Sequence, residues 1–345
     1  MGDAKQIIHN YNLLIFNHLS HCNRLIKMVS LSRESIGYKI SKIKSIKNLS
    51  TSVISNLKTK YATDIKKLSV PFIVPIDAKD IAFIAPTSFI NKKSLHIGIN
   101  YTGTANALYG CINDANDLYS SLKTNYGFKD ANMVVMTDTT TNKPTKSNII
   151  REFTKLLQKS QSGDLLFFSY SGHGSKILDN NKNERDNNDQ CLVSMDLQYI
   201  IDDKIKSIIS SHLKKNVTLF AVVDSCFSGS AFDLKYQYLD SLNNNMNDKN
   251  TRETKTISQV IMISGCTDKQ TSADTYITEA NGANGKSCGA MTWALKSALA
   301  SLTKPTWLEL LTTMRTLLKN NSYTQIPQLS SGLPLNLHSK CVLSL

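Results

Sequence analysis

The chain has 345 residues, is 41% hydrophobic and 19% charged, and carries a formal net charge of +13. That length can bury one large core or two smaller ones, while no apolar run nears the roughly 18 residues of a membrane span. The surplus of basic residues sits at one end: residues 1–94 hold fifteen Lys/Arg against five Asp/Glu, ten of the thirteen excess charges. With no aromatic-interleaved basic platform, a nucleic-acid partner is not expected, and neither is a membrane.

Seven cysteines (22, 111, 191, 226, 266, 288 and 341) are scattered without CxxC pairs, which argues against a zinc site or a disulfide framework and for a reducing compartment. MGDAKQ has Gly2 but Gln6, against the myristoylation pattern, and Cys341 stands too far from the end for a prenylation box. A cytoplasmic location is expected. The basic, acid-poor stretch 4–48 keeps a mitochondrial presequence as a minor alternative.

Residues 1–70 mix short apolar pieces with Lys, Ser and Asn and read as a basic N-terminal arm of one or two amphipathic helices. Residues 71–94 are punctuated by Pro and read as a linker, leaving 95–345 as the main domain. There, LHIGINY, NMVVMTD, DLLFFSYSG, VTLFAVVDS and QVIMISG are short β-rich apolar runs. Helical patterns separate or follow them at 110–124, 146–159, 203–214, 288–301 and 306–319. Strands buried on both faces and alternating with helices predict an α/β fold with a mostly parallel central β-sheet flanked by helices on both faces. The segment 238–256 is polar and aperiodic, and reads as a mobile loop.

In such sheets, sites form beyond the carboxyl ends of the strands. DLLFFSYSGHGS (164–175) ends in a glycine-flanked His173, and VTLFAVVDSCFSGSAFD (217–233) ends in Cys226. Either residue alone is compatible with packing. Together, after two apolar strands, they suit a nucleophilic thiolate with an imidazole partner, and a glycine-rich turn can supply N–H donors to a developing oxyanion. Asp114, at a helix start, and Asp224, two residues before Cys226, would favour a cationic substrate side chain. Asp114 is equally explained as a complement to the helix dipole.

YSGHG, DSCFSG 53 residues after the histidine, and ISGCTDKQTSAD (263–274) resemble the metacaspases, within the caspase-like cysteine peptidases. GINYTGTANALYGCINDA (98–115) and PQLSSG (327–332) extend the likeness over about 95–330, and the short spacing between DSC and ISGC is that of the type I enzymes. The resemblance implies a caspase-hemoglobinase fold and endopeptidase activity after Arg or Lys in protein substrates. In it, His173 is general base and acid, Cys226 the nucleophile, and the backbone N–H groups of Gly174 and Cys226 the oxyanion hole. The family's acidic pocket maps onto Cys111, Asp114, Ser171 and Asp224.

The family's calcium aspartates map onto Asp189, Asp202, Asp203 and Asp233, within or beside a polar loop rich in Asp and Asn (178–196), so Ca2+ activation is implied. The resemblance also implies a monomer and autocatalytic cleavage, for which Lys249, Arg252 and Lys255 are candidates. The basic arm, set against an acidic cleft, suggests a restraint on the cleft. Phe227 departs from the pattern, which often has His there, and keeps a catalytically inactive interaction protein as the alternative. Cys191 and Cys288 read as structural, and Cys266 as a buried thiol or a second reactive one.

Overall fold

A computed structural model describes residues 35–67, 88–178, 188–226, 231–238, 246–247, 255–265, 274–277 and 286–344. The chain divides into two compact units, Met1–Lys79 and Asp80–Leu345. In the first, the described residues form a helix, α1 (Ile36–Lys67), 32 residues of the predicted arm.

The second unit begins its sheet at β1 (Lys92–Gly98), three residues before the predicted domain boundary. There follow α2 (Cys111–Tyr126), β2 (Met133–Thr137), α3 (Lys146–Gln158), β3 (Leu165–Ser171), β4 (Gly174–Leu178), β5 (Asn188–Val193), β6 (Tyr199–Ile201) and α4 (Asp202–His212). After β7 (Thr218–Asp224) come β8 (Tyr236–Tyr238), β9 (Met246–Asn247), β10 (Val260–Ser264), β11 (Asp274–Ile277), β12 (Lys286–Gly289), α5 (Ala290–Ser301), α6 (Trp307–Asn320) and β13 (Gln328–Ser331).

Eight strands form the main sheet in the order β2-β1-β3-β7-β10-β13-β8-β9. The first five run parallel, and β13, β8 and β9 add antiparallel pairs at one side. Alternate residues feed two cores. Leu166, Phe168, Leu219, Ala221 and Met262 meet α3 and α4 through Phe153, Leu157, Ile205 and Ile209. Leu165, Phe167, Phe220, Val222 and Ile261 meet α2, α5 and α6 through Leu118, Leu122, Leu295, Leu310 and Met314. Helices on both faces are why these strands read as unbroken apolar runs.

A histidine lies within the core. His96 of β1 is fully buried against Phe167 and Tyr119. Its Nδ1 and Nε2 each lie 2.9 Å from a serine hydroxyl, Ser169 and Ser94, which satisfy a neutral ring. Burial lowers its pKa from 6.5 to about 3, so the folded state binds fewer protons than the unfolded one. Its contribution to stability is complete above pH 6.5 and is lost as pH falls towards 3, by about 1.4 kcal/mol per pH unit. Urea midpoints measured from pH 7 to 5 are expected to fall more steeply in the wild type than in His96→Gln; equal slopes would contradict this.

Two expectations are corrected. The stretch 178–196 is not wholly loop: Leu178 ends β4 and 188–193 form β5, antiparallel to β4 and β6. Isolated polar residues hid β5, because the antiparallel β4–β5–β6 sheet lies apart from the main one. Likewise, 238–256 is not one continuous mobile loop. Tyr238 is buried at the end of β8, and Met246–Asn247 pair with it as β9.

Candidate active site

The register of β3 on β7 pairs Ser171 with Asp224, the last residue of each strand. His173 and Cys226 each follow two residues later, at equal offset past neighbouring parallel strands. Strands pair about 4.8 Å apart, so the two residues leave the sheet side by side. Gly174 closes the approach: a Cβ there would run into the carbonyl oxygen of Cys226. Both His173 and Cys226 are half-buried.

The loop after β1 holds the imidazole. Its Nε2 lies 2.7 Å from the carbonyl oxygen of Asn106, and a carbonyl only accepts, so Nε2 carries the proton and Nδ1 keeps its lone pair. Tyr101 packs its ring over the imidazole at 4.7 Å between centroids, and its hydroxyl accepts the His173 N–H at 2.9 Å. The Tyr101 hydroxyl donates in turn to the Val193 carbonyl at 2.6 Å. The His173 carbonyl accepts the Val193 N–H at 3.0 Å, so the catalytic turn is pinned to the end of β5.

The predicted acidic pocket assembles at the same sheet edge. Asp114, in the first turn of α2, is 1% exposed. It accepts the Ser171 hydroxyl at 2.6 Å and the Gly289 N–H at 2.9–3.0 Å. Asp224 accepts both the backbone N–H and the hydroxyl of Thr292 at 2.9 Å. A Cβ on Gly289 would strike Asp224 Oδ2 and come within 2.8 Å of Asp114 Oδ2, so only a glycine fits between the two carboxylates. Cys111, buried, opens α2.

Each carboxylate therefore meets the start of a helix, Asp114 at α2 and Asp224 at α5 through Thr292, where unsatisfied N–H groups favour negative charge. For Asp114 the helix-dipole reading and the pocket reading are compatible. Cys288, read from the sequence as structural, is buried in β12. Burial first, then Asp114 and Asp224, push its thiol up to about 12, so it stands protonated beside both carboxylates.

The predicted calcium residues are brought together in part. Asp189 of β5 and Asp202, the first residue of α4, are both buried. Asp202 accepts the Gln190 N–H at 2.8 Å and the Asp203 N–H at 2.9 Å. Burial, and then Asp202 and Asp189, raise the Cys191 thiol to about 12, which puts both carboxylates within electrostatic reach of one sulfur. Asp203 is half-buried, and Asp233 is buried with a left-handed φ of 46°. Among the described residues, no three His, Cys, Asp or Glu form a group that could hold a metal ion. Carboxylate oxygens are the donors a hard cation takes, and the fit to calcium rests on that donor chemistry alone. Phe227, Cys266, Lys249 and Arg252 lie outside the described residues, and Lys255 is half-buried.

Residues 92–235 match the family described as metacaspase, peptidase C14 domain. The chain is 33% identical over 303 residues to Metacaspase-1 of Schizosaccharomyces pombe, an alignment covering 73% of this chain and 70% of that protein. The chain belongs to the metacaspase family. Metacaspase-1 of Kluyveromyces lactis is 35% identical over 290 residues, 69% of this chain and 65% of its own length, so the match spans just under two thirds of that relative. A solved structure of a Geobacter sulfurreducens protein shares the fold, with a TM-score of 0.53 at 20% identity over 74% of this chain and 98% of that one. The sheet and its flanking helices are the caspase-like α/β fold of this metacaspase family.

Several site residues were not singled out by the sequence. Asn106 acts through its main-chain carbonyl, which any residue could supply. Gly289 and Thr292 lie 175 and 68 positions from the aspartates they bond. Tyr101 lies within the segment GINYTGTANALYGCINDA (98–115), where its aromatic ring is the available signal.

Proposed function

We propose that the chain is a calcium-activated cysteine endopeptidase that cleaves proteins after Arg or Lys and processes itself. The observation that carries this is the equal offset of His173 and Cys226 past paired strand ends, with His173 Nε2–H held by Asn106 and Nδ1 left to accept a proton. In this reading Nδ1 takes the Cys226 proton as sulfur attacks the scissile carbonyl. The oxyanion is received by the N–H groups of Gly174 and Cys226. His173 then protonates the leaving amine, and water, deprotonated by the same ring, releases the acyl group.

Two buried carboxylates flanking Gly289 support a cationic side chain at the cleaved bond. Burying like charges costs free energy that a guanidinium or ammonium offsets. An aspartate side chain would add a third negative charge. The same reasoning supports calcium at Asp189 and Asp202, with Asp203 and Asp233 assigned by resemblance. The ion supplies charge neutralisation there and takes no part in bond breaking. A monomer is assigned by resemblance. Lys255, with Lys249 and Arg252, remains a candidate for self-cleavage.

Peptide reporters ending in Arg, Lys or Asp, assayed with calcium or a chelator, test the reading. Arg and Lys reporters are expected to be cleaved at least about 100-fold faster than Asp, the scale of a charge mismatch in a buried pocket, and only with calcium. Calcium titration calorimetry should register binding that Asp202→Ala weakens. Cleavage of the Asp reporter alone would overturn the pocket, and equal rates in chelator would overturn the activation.

A further inference from the structure

His173 owes its backbone anchor and the packing of its ring face to Tyr101, and Tyr101 is itself held in an unfavourable shape. Its φ is 49°, in the left-handed region that a bulky residue adopts only where its surroundings enforce it. The enforcement comes from Asp138, the residue after β2. One carboxylate oxygen accepts the Asn100 N–H and the other the Thr102 N–H, both at 2.9 Å. A single carboxylate thus straddles Tyr101. Thr104 adds its N–H at 3.1 Å and its hydroxyl at 2.8 Å to the Tyr101 carbonyl. The same turn runs on to Asn106, whose carbonyl accepts from the imidazole.

Past this turn, the Tyr101 phenol has one donor and one acceptor role to play, and both end on the catalytic turn or its support. It accepts from His173 N–H and donates to Val193. The Tyr170 hydroxyl stands 3.2 Å away and reaches the His173 and Val193 carbonyls at 2.8 Å each. Besides Tyr170, the ionisable groups that act on the phenol are Cys111 and Asp138. Burial keeps both phenols protonated.

We propose that Tyr101 is a positioning residue for His173 and that Asp138, by holding Tyr101 in its left-handed turn, sets the reach of the imidazole towards Cys226. The proposal rests on the Cys226–His173 reading. Neither residue touches the reacting bond; both act by fixing where the base stands. Loss of the phenol hydroxyl frees the His173 N–H inside the protein, and loss of the Asp138 bracket lets the turn relax and swing both Tyr101 and Asn106.

The test uses Tyr101→Phe, which keeps the ring, and Asp138→Asn, which keeps the shape but can accept through only one oxygen. Two readouts apply: kcat and KM on an Arg reporter, and the pH dependence of Cys226 alkylation by iodoacetamide, followed by mass spectrometry. Tyr101→Phe is expected to lower kcat about tenfold with KM within about twofold, the pattern of a displaced catalytic group rather than lost binding. Alkylation at neutral pH should slow, and its profile should move towards that of an ordinary cysteine. Asp138→Asn should move both readouts the same way and, since it leaves each His173 contact chemically intact, decides the matter alone if Tyr101→Phe does not fold. An unchanged alkylation profile in a folded variant, whatever its melting temperature, overturns the proposal. A wild-type profile no different from that of His173→Ala would sink the dyad itself, and the positioning role with it.

Discussion

Cys226→Ala is expected to lose cleavage of Arg and Lys reporters by at least about a thousandfold, because alanine leaves no thiolate to attack the carbonyl. The fold should survive. Cys226 is half-buried in a turn beyond β7 and belongs to neither core cluster, so its melting temperature should stay within about 2 °C of the wild type. His173→Ala should cost a similar factor, and the double variant little more than either single one, since nucleophile and base act as a unit. Initial rates alongside thermal unfolding check this. Substantial cleavage by folded Cys226→Ala would move the nucleophile elsewhere.

Gly174→Ala should be nearly as damaging although it adds a single methyl. That methyl would meet the carbonyl of Cys226, and behind it the Ser225 hydroxyl at 3.0 Å. The obstacle is main chain rather than the end of a flexible side chain. To make room, either the His173 turn lifts off β5 or the Cys226 turn backs away from the base. Displacements of an ångström in catalytic geometry cost on the order of 100-fold, and one of the two proposed oxyanion donors moves as well. We expect kcat/KM on the Arg reporter to fall by at least about 100-fold, with a loss of stability of about 1–3 kcal/mol from overpacking. Kinetics and urea unfolding measure the two. Wild-type turnover in Gly174→Ala would mean that the two turns do not have to touch.

The parallel half of the sheet was legible because both of its faces are buried. Leu165–Phe168 and Leu219–Val223 are wholly apolar and feed alternate cores, and their glycine or small-residue ends mark the catalytic edge. His173, Cys226, Asp114 and Asp224 could be named before any coordinates from their side-chain chemistry, and Ser171 from the resemblance. Other parts left no such mark. The β4–β5–β6 sheet is short and partly polar, so Asp189 read as a loop residue although it lies in β5. The Asn106 carbonyl is independent of residue type. Gly289 matters for the atom it lacks, and its need arises only when α2 and β7 bring two carboxylates to either side of it.

The acidic pocket draws on both sides of the proposed break in the chain. Asp114, Ser171, His173, Asp224 and Cys226 all precede residue 239, whereas Gly289 and Thr292, which hold the carboxylates, follow residue 255. The central pairing of β7 with β10 crosses the same divide over five residue pairs. Scission between 248 and 254 would therefore turn one polypeptide into two without dismantling the sheet. The fragments should remain a single particle, co-eluting under native conditions and parting only in denaturant. For this architecture, covalent continuity and structural integrity are separate properties.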